Sequence, residues 1–255
     1  MDRVVAEYSV FQQVEAVALA GSQTTAVSDE ASDIDLYVYL NTDLTLKDRK
    51  RIAGEFDENP EVGNIFWEPG DEWIDSASGI HLDVMFRLTN WIEEQLVRIL
   101  ERHETSVGYS TCFWHNVLSS KNLFDRNGWF AKLQKKANRP YPDPLRRAII
   151  AKNFPILRNT QSSYLNQIAR AIKRGDSVSV HHRMTALLAS YFDVLFAING
   201  IPHPGEKRLI EFAENRCERK PLQMRAQIEA LLNSRRTEKL EAVNALIDGL
   251  EKLLP

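Results

Sequence analysis

Apolar and polar positions along the first part of the chain switch between two periods, and the switches mark out the elements. Val14–Ala20 is an apolar run ending in Gly21-Ser22, and Ile34–Leu40 alternates its faces in a β-rich composition. Gly63–Glu68 and His81–Leu88 read as two further strands. Met1–Gln13, Thr45–Phe56 and Asn90–Arg102 carry helical spacing, the last with Asn90 as its predicted N-cap. Strands interleaved with amphipathic helices predict a small mixed sheet.

The pattern changes at Asn138-Arg-Pro-Tyr-Pro-Asp-Pro144, where three closely spaced prolines favour an extended connector. Beyond it strand signals vanish. Leu145–Arg174 has helical spacing interrupted at Pro155. Ser177 is the predicted N-cap of a long helix stopped by Asn199-Gly200, and Glu206–Arg216, Leu222–Leu232 and Glu238–Leu254 follow with apolar residues three and four apart. Ser110–Ala137, with two short helical stretches and the turn Asp125-Arg-Asn-Gly128, belongs clearly to neither half. The predicted fold class is α+β: residues 1–139 form a domain with a small mixed sheet, and residues 140–255 an all-helical bundle.

Charge sharpens this division. Residues 1–105 hold 8 Lys/Arg against 22 Asp/Glu, a balance of −14, and the rest hold 24 against 13, a balance of +11. Opposite signs suggest a cation-binding half, an anion-binding half and mutually attractive surfaces, with a site expected in the cleft between them. The chain has no run approaching a membrane span and no signal-peptide pattern at its start. Cys112 and Cys217 fit neither a zinc motif nor a disulfide framework. A cytoplasmic protein with no membrane partner is expected.

The candidate chemistry lies in Leu19-Ala-Gly-Ser-Gln-Thr-Thr-Ala-Val-Ser-Asp-Glu-Ala-Ser-Asp-Ile-Asp-Leu36. Gly21 lets backbone approach a bulky anion, and the amides after it, with the Ser22 hydroxyl, can donate to phosphate oxygens. Asp33 and Asp35 are two apart on a strand, so both carboxylates project from one face about 7 Å apart, within reach of bridging magnesium. Asp83 alternates with Leu82, Val84 and Phe86, on a strand that can lie beside the first. Three clustered carboxylates repel one another and lose hydration, a cost of several kcal/mol per buried ion that a divalent cation relieves.

These residues resemble the signature of the polymerase-β-like nucleotidyltransferase superfamily, which includes the aminoglycoside and lincosamide nucleotidyltransferases. Trp67-Glu-Pro-Gly-Asp-Glu-Trp73, the Ile80–Arg87 strand, Leu123–Gly128, Arg174-Gly-Asp176, Leu195–Gly200 and Pro204–Leu209 look like an uncharacterised family of bacterial two-domain nucleotidyltransferases. The resemblance implies that Gly21 and Ser22 hold the β- and γ-phosphates of a nucleoside triphosphate, ATP for preference. It implies that Asp33 and Asp35 ligate Mg2+, and that Asp83 completes the metal site or accepts the proton of the attacking hydroxyl. The implied reaction transfers a nucleoside monophosphate to a hydroxyl acceptor, such as an antibiotic or another small molecule, and releases pyrophosphate. The long polar loop departs in its acidic pair Asp29-Glu30, which would weaken triphosphate binding if it faced the site.

Other candidates are weaker. Glu68 is an alternative base, although it precedes Pro69-Gly70, and Glu72 is similar. Lys207 and Arg208 follow a Pro-Gly turn at a helix start, where cations can clamp a polyphosphate; Lys121 and Arg126 rank below them. His181-His182 lacks further ligands at helical spacing and reads as a surface pair. The helical half shows no recognisable RNA module, so nucleic acid is not expected as a partner. An RNA-end-modifying transferase and a nucleotide-binding antitoxin or regulatory protein stay open as alternatives. By analogy with the antibiotic-modifying enzymes, a homodimer is open as well.

Overall fold

The computed structural model describes residues 1–20, 33–66 and 68–254. The chain divides into two compact units, residues 1–97 with 116–139, and residues 98–115 with 140–255.

In the first unit, α1 (Asp2–Ser9) leads into β1 (Val14–Ala20). β2 (Ile34–Leu40), α2 (Leu46–Ala53), β3 (Glu61–Asn64), β4 (Gly70–Ile74) and β5 (His81–Leu88) follow. β5 runs directly into α3 (Thr89–Leu100), and α4 (Cys112–Ser119), β6 (Lys121–Asp125) and α5 (Trp129–Ala137) come after it, the end of α3 and the first half of α4 being counted with the second unit. The six strands form one mixed sheet in the order β3-β4-β5-β2-β1-β6. β2 and β5 run parallel, and the other neighbours are antiparallel. An α+β architecture is therefore observed.

Alternation sorts the sheet into two faces. Val14, Val17, Leu36, Val38, Leu40, Leu82, Val84 and Phe86 join a core with Val4 and Tyr8 of α1 and Ile52 and Ala53 of α2. Thr45 caps α2, its hydroxyl accepting from the Asp48 amide at 3.2 Å. α2 is also tied down by Arg49, whose guanidinium donates to both oxygens of the fully buried Asp71 and to the Gly70 carbonyl. The opposite face carries Tyr37 and Tyr39, and Tyr39 packs on Trp129 and Phe130 of α5.

Four local expectations are corrected. The strand expected at Gly63–Glu68 lies earlier and is one arm of a hairpin, β3 with β4. Gly63, at φ 87°, sits where the pairing register shifts, and the chain turns before Gly70. Asn90 does not cap α3, because β5 passes into the helix at Thr89. β6 was not expected: it is a short edge strand opening with the exposed Lys121 and Asn122. Arg126, beyond it, is structural, donating to the Ser9, Phe11 and Val14 carbonyls.

The second unit contains α6 (Asp143–Asn153), α7 (Pro155–Arg158), α8 (Tyr164–Arg174) and α9 (Ser177–Asn199). α10 (Leu209–Arg216), α11 (Met224–Asn233) and α12 (Lys239–Glu251) complete it. α9 is nearly all buried from Ala189 to Ile198 and forms the axis of a core that takes Ile168, Leu231, Val243 and Leu246 from its neighbours. Burying side chains such as Leu187, Phe192 and Leu195 contributes roughly 1.5–3 kcal/mol each. Its cap is Asp176 and not Ser177, with the carboxylate accepting from the Ser179 amide at 3.0 Å. Gly200, at φ 64°, ends it in the left-handed conformation that glycine adopts without strain.

The segment joining α3 to α4 is bound into this unit through a buried polar cluster. Asp193 of α9 accepts from the Ser110 amide at 3.1 Å and its hydroxyl at 2.6 Å, and Asn153 of α6 bridges Asp193 to the Gly108 amide. His203 is fully buried beside Tyr109 and Phe196. Among the described residues no helix is long and apolar enough to cross a membrane, and Cys112 and Cys217 are both free thiols.

Candidate active site

β2 and β5 pair in a register that sets Asp35 opposite Asp83, and β4 continues the line by setting Glu72 opposite Asp83. Glu61 of β3 faces Glu72 in turn. Cross-strand partners project from the same face of a sheet, so four acids on four adjacent strands form one row. This is the face of Tyr37 and Tyr39, opposite the apolar core. Asp33, expected on the strand, lies just ahead of its first residue Ile34, where its carboxylate is 3.6 Å from His81 Nδ1, while Nε2 of the same ring is 3.6 Å from Glu72.

β1 ends at the same level: Ala20, its last residue, pairs with Asp35. Gly21, Ser22 and the acidic pair Asp29-Glu30 themselves lie outside the described residues.

Electrostatics single out Asp83. Partial burial, then the negative charges of Glu72 and Asp35, push its carboxyl up to about 6. Such values suit proton transfer near neutrality. Asp33, at 59% side-chain exposure, and Glu72, at 37%, stay open to solvent, so the row is reachable from outside. Among the described residues no three His, Cys, Asp or Glu side chains already converge on one point able to hold a metal ion.

Glu68 has a different task. Its two oxygens accept from Arg87 Nε and Nη2, both at 2.7 Å, and the buried guanidinium stacks 3.7 Å from the Tyr37 ring centre. The alternative base is thus committed to an ion pair. Lys207 and Arg208 belong to the second unit, exposed, just ahead of α10, with Arg208 at φ 52°. His181 and His182 are exposed on α9. Glu72 was named only as a weaker alternative base and His81 not at all, yet simple alternation marks both for this face: Glu72 lies between core-facing Asp71 and Trp73, and His81 two positions before Asp83.

Residues 114–208 match a family model described as a domain of unknown function, DUF4037. No curated protein matches the chain. Among solved structures, it is similar to a nucleotidyltransferase-like protein from Exiguobacterium sibiricum, with a TM-score of 0.45 and 13% identity over 97% of this chain and 71% of that one. It is also similar to the spectinomycin adenyltransferase AAD(9) from Enterococcus faecialis, solved with ATP and spectinomycin. There the TM-score is 0.32 and the identity 12%, over 97% of this chain and 95% of that one. A third similarity is to the STING-associated CdnE c-di-GMP synthase from Capnocytophaga granulosa, with a TM-score of 0.30 and 12% identity over 99% and 77% of the two chains.

Proposed function

We propose that the chain is a cytoplasmic nucleotidyltransferase that moves a nucleoside monophosphate from a nucleoside triphosphate, ATP for preference, to a hydroxyl acceptor and releases pyrophosphate. The single observation carrying this reading is the strand register that makes Asp35 and Asp83 neighbours on one open face, level with the end of β1. In this reading the unit containing the sheet is the nucleotidyltransferase domain and the helical unit its companion.

The donor set fits magnesium. Every acid in the row offers hard carboxylate oxygens, and the repulsion that adds to burial in raising Asp83 is what a divalent cation would relieve. Asp33, Asp35 and Asp83 are the residues proposed to hold it. When bound, it supplies Lewis-acid stabilisation of charge on the phosphates.

The protein's own groups divide the remaining work. Gly21 and Ser22 are proposed to donate to the β- and γ-phosphates, with Lys207 and Arg208 offered as further cations for a polyphosphate. The acceptor oxygen forms a bond to the α-phosphorus while the bond from that phosphorus to the bridging oxygen breaks. Pyrophosphate leaves with the electron pair, and the hydroxyl proton passes to the Asp83 carboxylate. Glu68 is a poorer base, since taking a proton would break its pair with the buried Arg87.

The test follows the α-phosphate label. The protein is incubated with each α-labelled triphosphate, Mg2+ and a panel of hydroxyl compounds, antibiotics included. Label is expected to move to an acceptor with the wild type and not with Asp35→Ala; equal transfer by both proteins would overturn the reading.

A further inference from the structure

The helical unit carries a charged site of its own. Residues 144–192 contain eight Lys/Arg and a single acid, Asp176. Part of this charge is spent on structure: Arg158 pairs with Asp248 and Glu251, and Arg146 with Asp143. Three arginines remain together. Arg170 and Arg174, one turn apart on α8, and Arg183 of α9 line a cleft of about 280 Å³, with Ser162, Gln167 and Ser179 as its other walls.

The partners of these guanidiniums are few. Arg174 stands 3.8 Å from Asp176, whose carboxylate is already engaged in capping α9 through the Ser179 amide and hydroxyl. Arg170 makes one long contact, 3.5 Å, to the Gln161 carbonyl. Arg183 has no hydrogen bond or ion pair among the described residues. Each guanidinium carries five N–H donors in a planar fork shaped for bidentate contact with phosphate. Like charges gathered in one concave place repel, and an anion of matching charge reverses the sign of that interaction.

We propose that this α8–α9 cleft binds the diphosphate or triphosphate group of a small ligand. The volume is at the small end for ligand pockets, enough for linked phosphates and too small to enclose a whole nucleotide. A single Asp176 against three arginines leaves a net positive charge that calls for a multiply charged anion. An extended nucleic-acid backbone would need basic surface well beyond one cleft. None of the residues lining this cleft is used in the proposed transfer reaction.

The experiment is calorimetric titration of the full chain with inorganic pyrophosphate in EDTA, so that no divalent cation can recruit the anion to the acid row. Binding at one site is expected, weakening as salt rises. Arg170→Gln and Arg183→Gln should each weaken it about tenfold, in line with loss of a charge-assisted contact. Asp35→Ala and the control Lys173→Gln should leave it unchanged. The arginines are exposed, so melting temperatures should stay close to wild type. The proposal is overturned by absent binding, by binding insensitive to both arginine substitutions, or by binding lost in Asp35→Ala. It is equally overturned if a short single-stranded RNA binds more tightly than pyrophosphate and is weakened by the same substitutions, which would reassign the cleft to a nucleic-acid backbone.

Discussion

Glu72 and Asp83 face each other across two antiparallel strands, and Asp83 also faces Asp35 on its other side, so one carboxylate stands between two others. Asp83 is raised to about 6 by partial burial and by these neighbours. Between the unfolded carboxylate value near 4 and about 6, the unfolded chain has lost this proton while the folded chain keeps it. This group therefore makes stability fall as pH rises through that window. Glu72→Gln removes one repelling charge. The Asp83 carboxyl is expected to titrate at lower pH in that variant, read by NMR of the side-chain carbon; an unchanged midpoint would contradict the coupling.

Asp35→Ala relieves the same repulsion from the other side. In EDTA its melting temperature should equal or exceed that of the wild type, while transfer falls at least ~100-fold, as expected when a metal ligand is lost. Mg2+ should raise the wild-type melting temperature and leave the variant where it is. Thermal denaturation with and without Mg2+ checks both halves of this expectation.

Glu68 and Asp83 can be told apart by paired substitutions. Glu68→Ala strands the buried Arg87, and disrupting such a pair costs about 3–5 kcal/mol, somewhat less here because Glu68 is partly exposed. Glu68→Gln keeps one acceptor for Arg87 and should retain transfer within about tenfold once folded, whereas Asp83→Asn should lose it. Urea denaturation gives the stability, and labelled transfer gives the activity.

Acid should weaken the helical unit. Burial, with a smaller effect of neighbouring His115, holds His203 down to about 3; burial, then Arg216, holds His115 down to about 4. Both rings stay neutral in the fold while their unfolded counterparts take up protons below about 6.5. Their contribution is complete above that value and is lost as pH falls. At pH 4.5 the loss is roughly 2–3 kcal/mol for each histidine by proton linkage. Helical signal followed in urea at pH 7 and pH 4.5 should show a drop that is smaller in His203→Phe.

Much of this was legible from residue order because it rests on alternation. β1 falls where its apolar run places it, and β2 and β5 where period-two patterning does, since each has a full apolar face to bury. Asp33, Asp35 and Asp83 stood out as acids against that pattern. β4 and β6 were hidden because each is only five residues long, and β6 opens with polar side chains at a sheet edge. Strand order was not legible either. Without it Glu72 could not be set beside Asp83, nor could Glu68 be seen to serve Arg87, a pairing made across strands and a turn.

β2 and β5 are the one parallel pair among the described strands, and parallel neighbours need a long crossover. Here residues 41–80, carrying α2 and the β3–β4 hairpin, must be arranged before Asp35 can meet Asp83. The two acids therefore cannot come together in a short fragment; their meeting is a non-local contact that carries the entropy of closing that loop. A change within 41–80 that kept α2 or the β3–β4 hairpin from packing would part them without altering either acid.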